Sequence, residues 1–169
     1  MAFVIENGVT VSFAEFTDVV SKDSRLFDSN EGLSDDIVDS QLVRATERIL
    51  TRLRNSAWWR SYFVNRNTST TIRTVADIPA LDPDRIKARQ NDFTDLCVYT
   101  ALAEFILPSI ADFGNEDSAE RQKMGYYTQR ADSLLSELIT AGDWYDFDDD
   151  ATIESSEKSP GQVNLKRVR

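Results

Sequence analysis

Apolar positions recur at helical spacing through most of residues 12–142. Ser12-x-x-Glu15 has the form of a capping box, and Phe13, Phe16, Val19 and Val20 follow it at steps that predict a short helix over about 13–21. Residues 22–33 form a polar connection. Ser34 then caps a longer helix, with Asp35 and Asp36 in the first turn where carboxylates meet the positive end of the helix dipole. Val38, Leu42, Ala45, Ile49 and Leu53 make its apolar stripe, and the pattern stops near Asn55. Residues 57–63 predict a second, shorter helix dense in aromatics. Successive helical residues point about 100° apart, so Trp58 and Trp59 are expected to divide between the core and a boundary or interface.

Residues 65–81 are rich in Thr and Asn and predict an extended loop or hairpin. Asp82-Pro83 then has the form of an N-cap with proline at the first helical position. The helix it predicts is the central one, lined by Ile86, Phe93, Leu96, Tyr99, Ala103 and Ile106 and ended or kinked by Pro108. Ser118 opens a last long helix with Met124, Tyr127, Ala131, Leu134, Leu135 and Leu138 on one stripe and Gly142 as its C-terminal cap. The pattern implies an all-α small helical bundle over 12–142 with a long loop between helices. Residues 1–11 alternate weakly around Asn7-Gly8, which suits a short strand or an extended arm, and form an N-terminal arm in this division.

After Gly142 the periodicity fades. Residues 143–169 run through an acidic segment, Asp143 to Asp150, into a polar stretch that ends in Val163, Asn164, Leu165, Lys166, Arg167, Val168 and Arg169. Apolar residues at near-alternate positions in such a tail call for burial against a partner strand or groove, so 163–169 are candidate docking residues.

Composition narrows the function. A net charge of −10 and a pI near 4.5 argue against gripping nucleic acid by a general basic surface, yet suit a wall that repels DNA. The chain has no histidine, which removes Ser-His and Cys-His nucleophile pairs and imidazole metal ligands. Its one cysteine, Cys97, lies in an apolar run and reads as a small buried hydrophobe. The glycines are scattered, with no phosphate-binding loop, and no apolar run approaches the roughly 20 residues of a membrane span. No catalytic residue and no cofactor are assigned.

Three clusters carry candidate chemistry. Asp146-x-Asp148-x-Asp150, followed by Glu154 and Glu157, tracks positions 1, 3, 5, 9 and 12 of an EF-hand calcium loop, with Ile153 at its apolar position. Ala151 stands where that loop needs glycine, and neither flank reads as an EF-hand helix, so a solvated acidic run competes with calcium binding. Arg44, Arg48 and Arg52 fall on one helix face and are a candidate subunit interface, against a solvated face paired internally. Trp58, Trp59 and Tyr62 are interface candidates as well, against plain core packing. Glu104, inside the apolar helix, is either a buried acid or an arginine's partner.

The order of parts, a helical body, the 65–81 loop and a tail ending Leu165-Lys166-Arg167-Val168-Arg169, resembles the head-to-tail connector (neck adaptor) proteins of tailed bacteriophages. That resemblance implies a non-enzymatic virion protein, assembled in the host cytoplasm. It implies a ring, typically of twelve copies, beneath the portal protein. On that resemblance double-stranded DNA would pass through the lumen without sequence-specific binding, and the next neck or tail-completion protein would dock below. The tail from about 151 would dock on the portal, the 65–81 loop would point along the channel or to the next ring, and Asp146, Asp148, Asp149 and Asp150 would line or rim the lumen. The arm 1–11 has no counterpart in that family. The alternative is a calcium-binding helical regulatory protein built on Asp146–Glu157.

Overall fold

Asn7 and Gly8 take left-handed backbone angles, φ 53° and 82°, and turn the chain back on itself between strands β1 (Val4–Glu6) and β2 (Val9–Ser12). This is the two-residue hairpin turn that an Asn-Gly pair favours. The strands are antiparallel, with an irregularity between Val4 and Ile5. The computed structural model describes residues 3–28, 33–65, 74–111, 119–155 and 157–158. Over these the chain is mostly helical with this small sheet, which is roughly compatible with the all-α expectation; of the two forms open for residues 1–11, a short strand or an extended arm, the described part from Phe3 takes the strand form as a hairpin. Phe3 and Phe13 lie 4.7 Å apart between ring centres, and Phe13 meets Phe93 at 5.4 Å.

Helix α1 (Phe16–Lys22) starts later than the pattern suggested. The cap is Glu15, three residues on from Ser12: the Asp18 carboxylate accepts from the Glu15 N–H at 3.0 Å, while the Ser12 hydroxyl donates to the Ala14 carbonyl at 2.7 Å. A short helix α2 (Ser24–Asp28) replaces the start of the expected polar connection, and Leu26 is buried. Helix α3 (Asp35–Arg54) matches its prediction, with Val38, Leu42, Ala45, Ile49 and Leu53 all buried. Helix α4 (Ala57–Asn65) follows.

The expected central helix is divided. Asp82-Pro83 opens only a 3-10 turn, Pro83–Arg85, in which Asp82 Oδ1 accepts from the Asp84 N–H. Ile86 is then extended and bridges to Tyr145; the Lys87 and Ala88 N–H groups donate to the Trp144 carbonyl and the Asp146 N–H to the Arg85 carbonyl. These non-local bonds take the backbone groups that a helix would need. Arg89 turns through φ 55° and helix α5 (Gln90–Ala101) begins there. A π-helical turn, Leu102–Ile106, leads into α6 (Leu107–Ile110). Proline has no N–H, and its ring clashes with the carbonyl four residues back; the wider π turn accommodates Pro108 without ending the helix. Residues 90–110 are long and apolar enough for a membrane span by length and composition alone. Their apolar side chains Phe93, Leu96, Val98, Leu102, Ile106 and Leu107 are buried in the fold, the behaviour of a core helix. Helix α7 (Ala119–Ala141) ends as predicted, with Gly142 at φ 55° and its N–H on the Leu138 carbonyl.

The chain divides into two units: unit 1 is Met1–Ile49 with Arg89–Glu137, and unit 2 is Leu50–Ala88 with Leu138–Arg169. In unit 1 the Phe13 N–H donates to Thr46 Oγ1, Thr94 Oγ1 donates to the Phe13 carbonyl, and Cys97 sits 3.4 Å from Thr46. In the same unit the buried Asp23 carboxylate accepts from Lys123 at 2.7 Å and from the Tyr127 hydroxyl at 3.3 Å. In unit 2 the segment after Gly142 is part of the core: Trp144, Tyr145 and Asp146 are buried.

Candidate metal centre

The acidic stretch acquires its geometry from the backbone of residues 146–157. Asp146 is fully buried; its Oδ1 accepts from the Asp149 N–H at 2.7 Å and its Oδ2 from the Ala151 N–H at 2.8 Å. Glu157 is buried too, and its Oε1 accepts from the N–H groups of Phe147 (2.6 Å) and Asp148 (3.2 Å) while Oε2 takes that of Glu154 at 2.8 Å. The loop is therefore folded around two carboxylates, which is why an acidic run without helical pattern has a defined shape.

Asp146, Asp148 and Glu157 converge, each offering an oxygen within 4.8 Å of the others. These are positions 1, 3 and 12 of the calcium-loop spacing. Position 6 is Ala151, and its φ is 69°. The backbone thus takes the turn for which glycine is usually required, and the sequence mismatch becomes local strain instead of a different loop shape. Asp149, at φ 65°, is left-handed as well. Asp150 and Glu154 do not join the convergent group. Asp150 Oδ1 accepts from the Thr152 N–H and hydroxyl, and these bonds lower its pKa. The Asp148 carboxyl is pushed up, first by partial desolvation in the turn and then by the charges of Asp150, Glu157 and Asp146. A carboxylate has about four lone-pair sites, so the backbone bonds leave Asp146 and Glu157 with acceptor capacity for a hard cation.

The other predicted residues fall differently. Trp58 and Trp59 are both buried, at 5% and 2% exposure, where one in the core and one at a boundary or interface was expected. Unit 2 supplies aromatic walls for both: Trp58 packs on Trp144 at 4.6 Å, and Trp59 meets Tyr145 at 5.1 Å and Phe147 at 5.6 Å. Tyr62 is half-buried and stacks on Phe147 at 3.7 Å. The signal missed in the sequence was the aromatic triplet Trp144, Tyr145 and Phe147 inside the acidic run. Asp146 is buried, whereas Asp148, Asp149 and Asp150 are exposed.

Arg48 pairs with Glu104 at 3.3 Å, resolving Glu104 as an arginine's partner at a half-exposed site. Arg44 donates to Gln41 and lies over the Phe105 ring at 4.6 Å. Arg52 is half-buried further along α3. Of the 65–81 loop, residues 66–73 lie outside the described residues; the remainder holds a 3-10 turn, Val75–Asp77, and the Arg54 guanidinium donates to the Ile78 carbonyl at 3.0 Å. The docking residues Val163, Leu165, Lys166, Arg167, Val168 and Arg169 lie outside the described residues.

No protein-family model, curated protein or solved structure matches this chain.

Proposed function

We propose that this protein is a non-enzymatic structural connector of a tailed-bacteriophage neck. It forms a ring under the portal, extends the DNA channel and recruits the next neck or tail protein. The observation that carries the reading is the contrast between body and tail. The whole chain is −10 and residues 159–169 contribute +3 with no acid, which leaves −13 on residues 1–158. An acidic body repels DNA at a channel wall, and a basic tail with Val163, Leu165 and Val168 suits docking on a separate surface. The order of parts and the lack of histidine support it further.

Because Glu157 is buried and holds the backbone at 147 and 148, a deletion that tests docking must begin after Lys158. Light scattering of the full chain with an isolated portal ring should give a closed multi-copy assembly, and the chain ending at Lys158 should stay unassembled at the same concentrations. Equal assembly by both forms would overturn the docking role.

A second reading, a calcium-binding helical regulatory protein, is favoured by the convergence of Asp146, Asp148 and Glu157. Titration with calcium should change tryptophan emission saturably, since Trp144 stands two residues before the loop. Glu157→Gln should abolish the change. Flat emission and an unmoved melting temperature up to millimolar calcium would sink this reading.

A further inference from the structure

Unit 2 carries a cleft of about 340 Å³ whose walls are largely aromatic. It is at the small end of the roughly 300–1,000 Å³ range of ligand clefts, with room for a few aliphatic side chains and not for a folded partner. Tyr62 and Phe147 present half-buried faces to it, and Asp82 and Arg85 stand at its edge. Arg85 is engaged by Asp149 at 3.1 Å and Asp82 at 3.8 Å. Beyond it the surface of unit 2 exposes Asp84, Asp148, Asp149 and Asp150. A slot with aromatic walls, polar edges and an acidic surround suits an extended peptide that combines aliphatic side chains with positive charge.

We propose that this cleft, walled by Trp59, Tyr62, Phe63, Pro79, Tyr145 and Phe147, is the resting site of the chain's own C-terminal segment, residues 163–169. The inference goes beyond the connector reading and does not require it. Two observations select this occupant. The first is where the described chain stops: Glu157 Oε1 is bonded to the N–H of Phe147, a residue of the cleft wall, so the chain leaves beside the slot. Eleven residues follow Lys158. At up to about 3.3 Å per residue they reach roughly 36 Å, ample to return. The second is complementarity: Val163, Leu165 and Val168 suit the aromatic walls, and Lys166, Arg167 and Arg169 match the acidic surround. A short tether holds the segment at an effective concentration in the millimolar range, so weak intrinsic affinity suffices. Anything that takes the tail then opens the cleft, and the two events are coupled.

The test uses the full chain with a nitroxide at Arg169→Cys. Cys97 is buried, and burial pushes its thiol pKa up to about 12, so native labelling is confined to the new cysteine. The Trp59 indole N–H, which donates to the Pro79 carbonyl at 3.0 Å in the cleft wall, is followed by nitrogen-15 NMR. Its signal should be attenuated at least twofold more than in the same labelled chain carrying Leu165→Asp, Lys166→Glu and Arg167→Glu. The attenuation should survive tenfold dilution and should be absent when unlabelled nitrogen-15 chain is mixed with spin-labelled natural-abundance chain. Equal attenuation in the two labelled chains would overturn the proposal. Attenuation seen in the mixed sample and lost on dilution would overturn it also, by placing a neighbour's tail in the cleft.

Discussion

Trp58 and Trp59 are nearly equal in burial but opposite in hydrogen bonding, and a conservative substitution separates the two. The Trp59 indole donates to the Pro79 carbonyl at 3.0 Å, whereas the buried Trp58 indole N–H faces no acceptor among the described residues. Phenylalanine in place of either removes about 40 Å² of buried surface, worth ~1 kcal/mol at about 25 cal/mol per Å². At position 59 a hydrogen bond is lost as well, a further ~1 kcal/mol. At position 58 an unsatisfied buried donor is removed, a gain of about 1–3 kcal/mol. Trp59→Phe should therefore destabilise by about 2 kcal/mol and Trp58→Phe should be neutral or stabilising, a gap of roughly 2–4 kcal/mol. Urea unfolding followed by circular dichroism at 222 nm measures the gap as a shift in midpoint at constant slope. Equal losses would refute the hydrogen-bond reasoning. Loss of self-association with unchanged stability in either variant would refute the placement of both rings in the core.

Three further outcomes are expected. Ala151→Gly should relieve the positive φ of 69° and raise stability by about 0.5–1 kcal/mol in thermal melts, with tighter calcium binding if the loop takes the ion. Cys97 should be inert to a thiol reagent in the native protein and react fully in urea, because burial pushes its pKa up to about 12. Burial likewise pushes the Tyr145 phenol from 10.0 up to about 12. A raised pKa means the folded state holds the proton more tightly, so this contribution is complete below pH 10 and is lost as pH rises toward 12, by roughly 2–3 kcal/mol in all. Desolvation raises Tyr127 in the same direction, and phenolate absorbance against pH should show both rings ionising late and together with unfolding.

What could be read along the chain was what depends on neighbours in sequence. The stripe of α3, the Gly142 cap and the Asn7-Gly8 turn are set by periodicity and by backbone conformations that few residues take, and each stands where the pattern put it. The calcium-loop spacing was equally legible, since ligand positions in such a loop are local. The start of α1 was misread locally, at Ser12 instead of Glu15, and two further misreadings involve partners far away in sequence. Asp82-Pro83 is a sound helix start, yet residues 86–88 are taken by bonds to residues 144–145 some sixty positions on. Trp58 and Trp59 looked divided between inside and outside because helical geometry splays them; Trp144, Tyr145 and Phe147 cover both faces.

The sequence by itself determined the mostly helical character, the acidic body with its basic end, and the exclusion of histidine chemistry, because propensity, patterning and charge are properties of residues and their near neighbours. Only the tertiary structure decided that the acidic segment is half core and half surface. Burial of Asp146 and Glu157 follows from backbone N–H groups that a turn leaves without partners, and Trp144 and Tyr145 are drawn in by aromatic surface on α4. The aromatic contacts are energies between segments far apart in sequence, which no local pattern encodes, and the carboxylate bonds depend on a loop conformation that the acidic run alone does not specify.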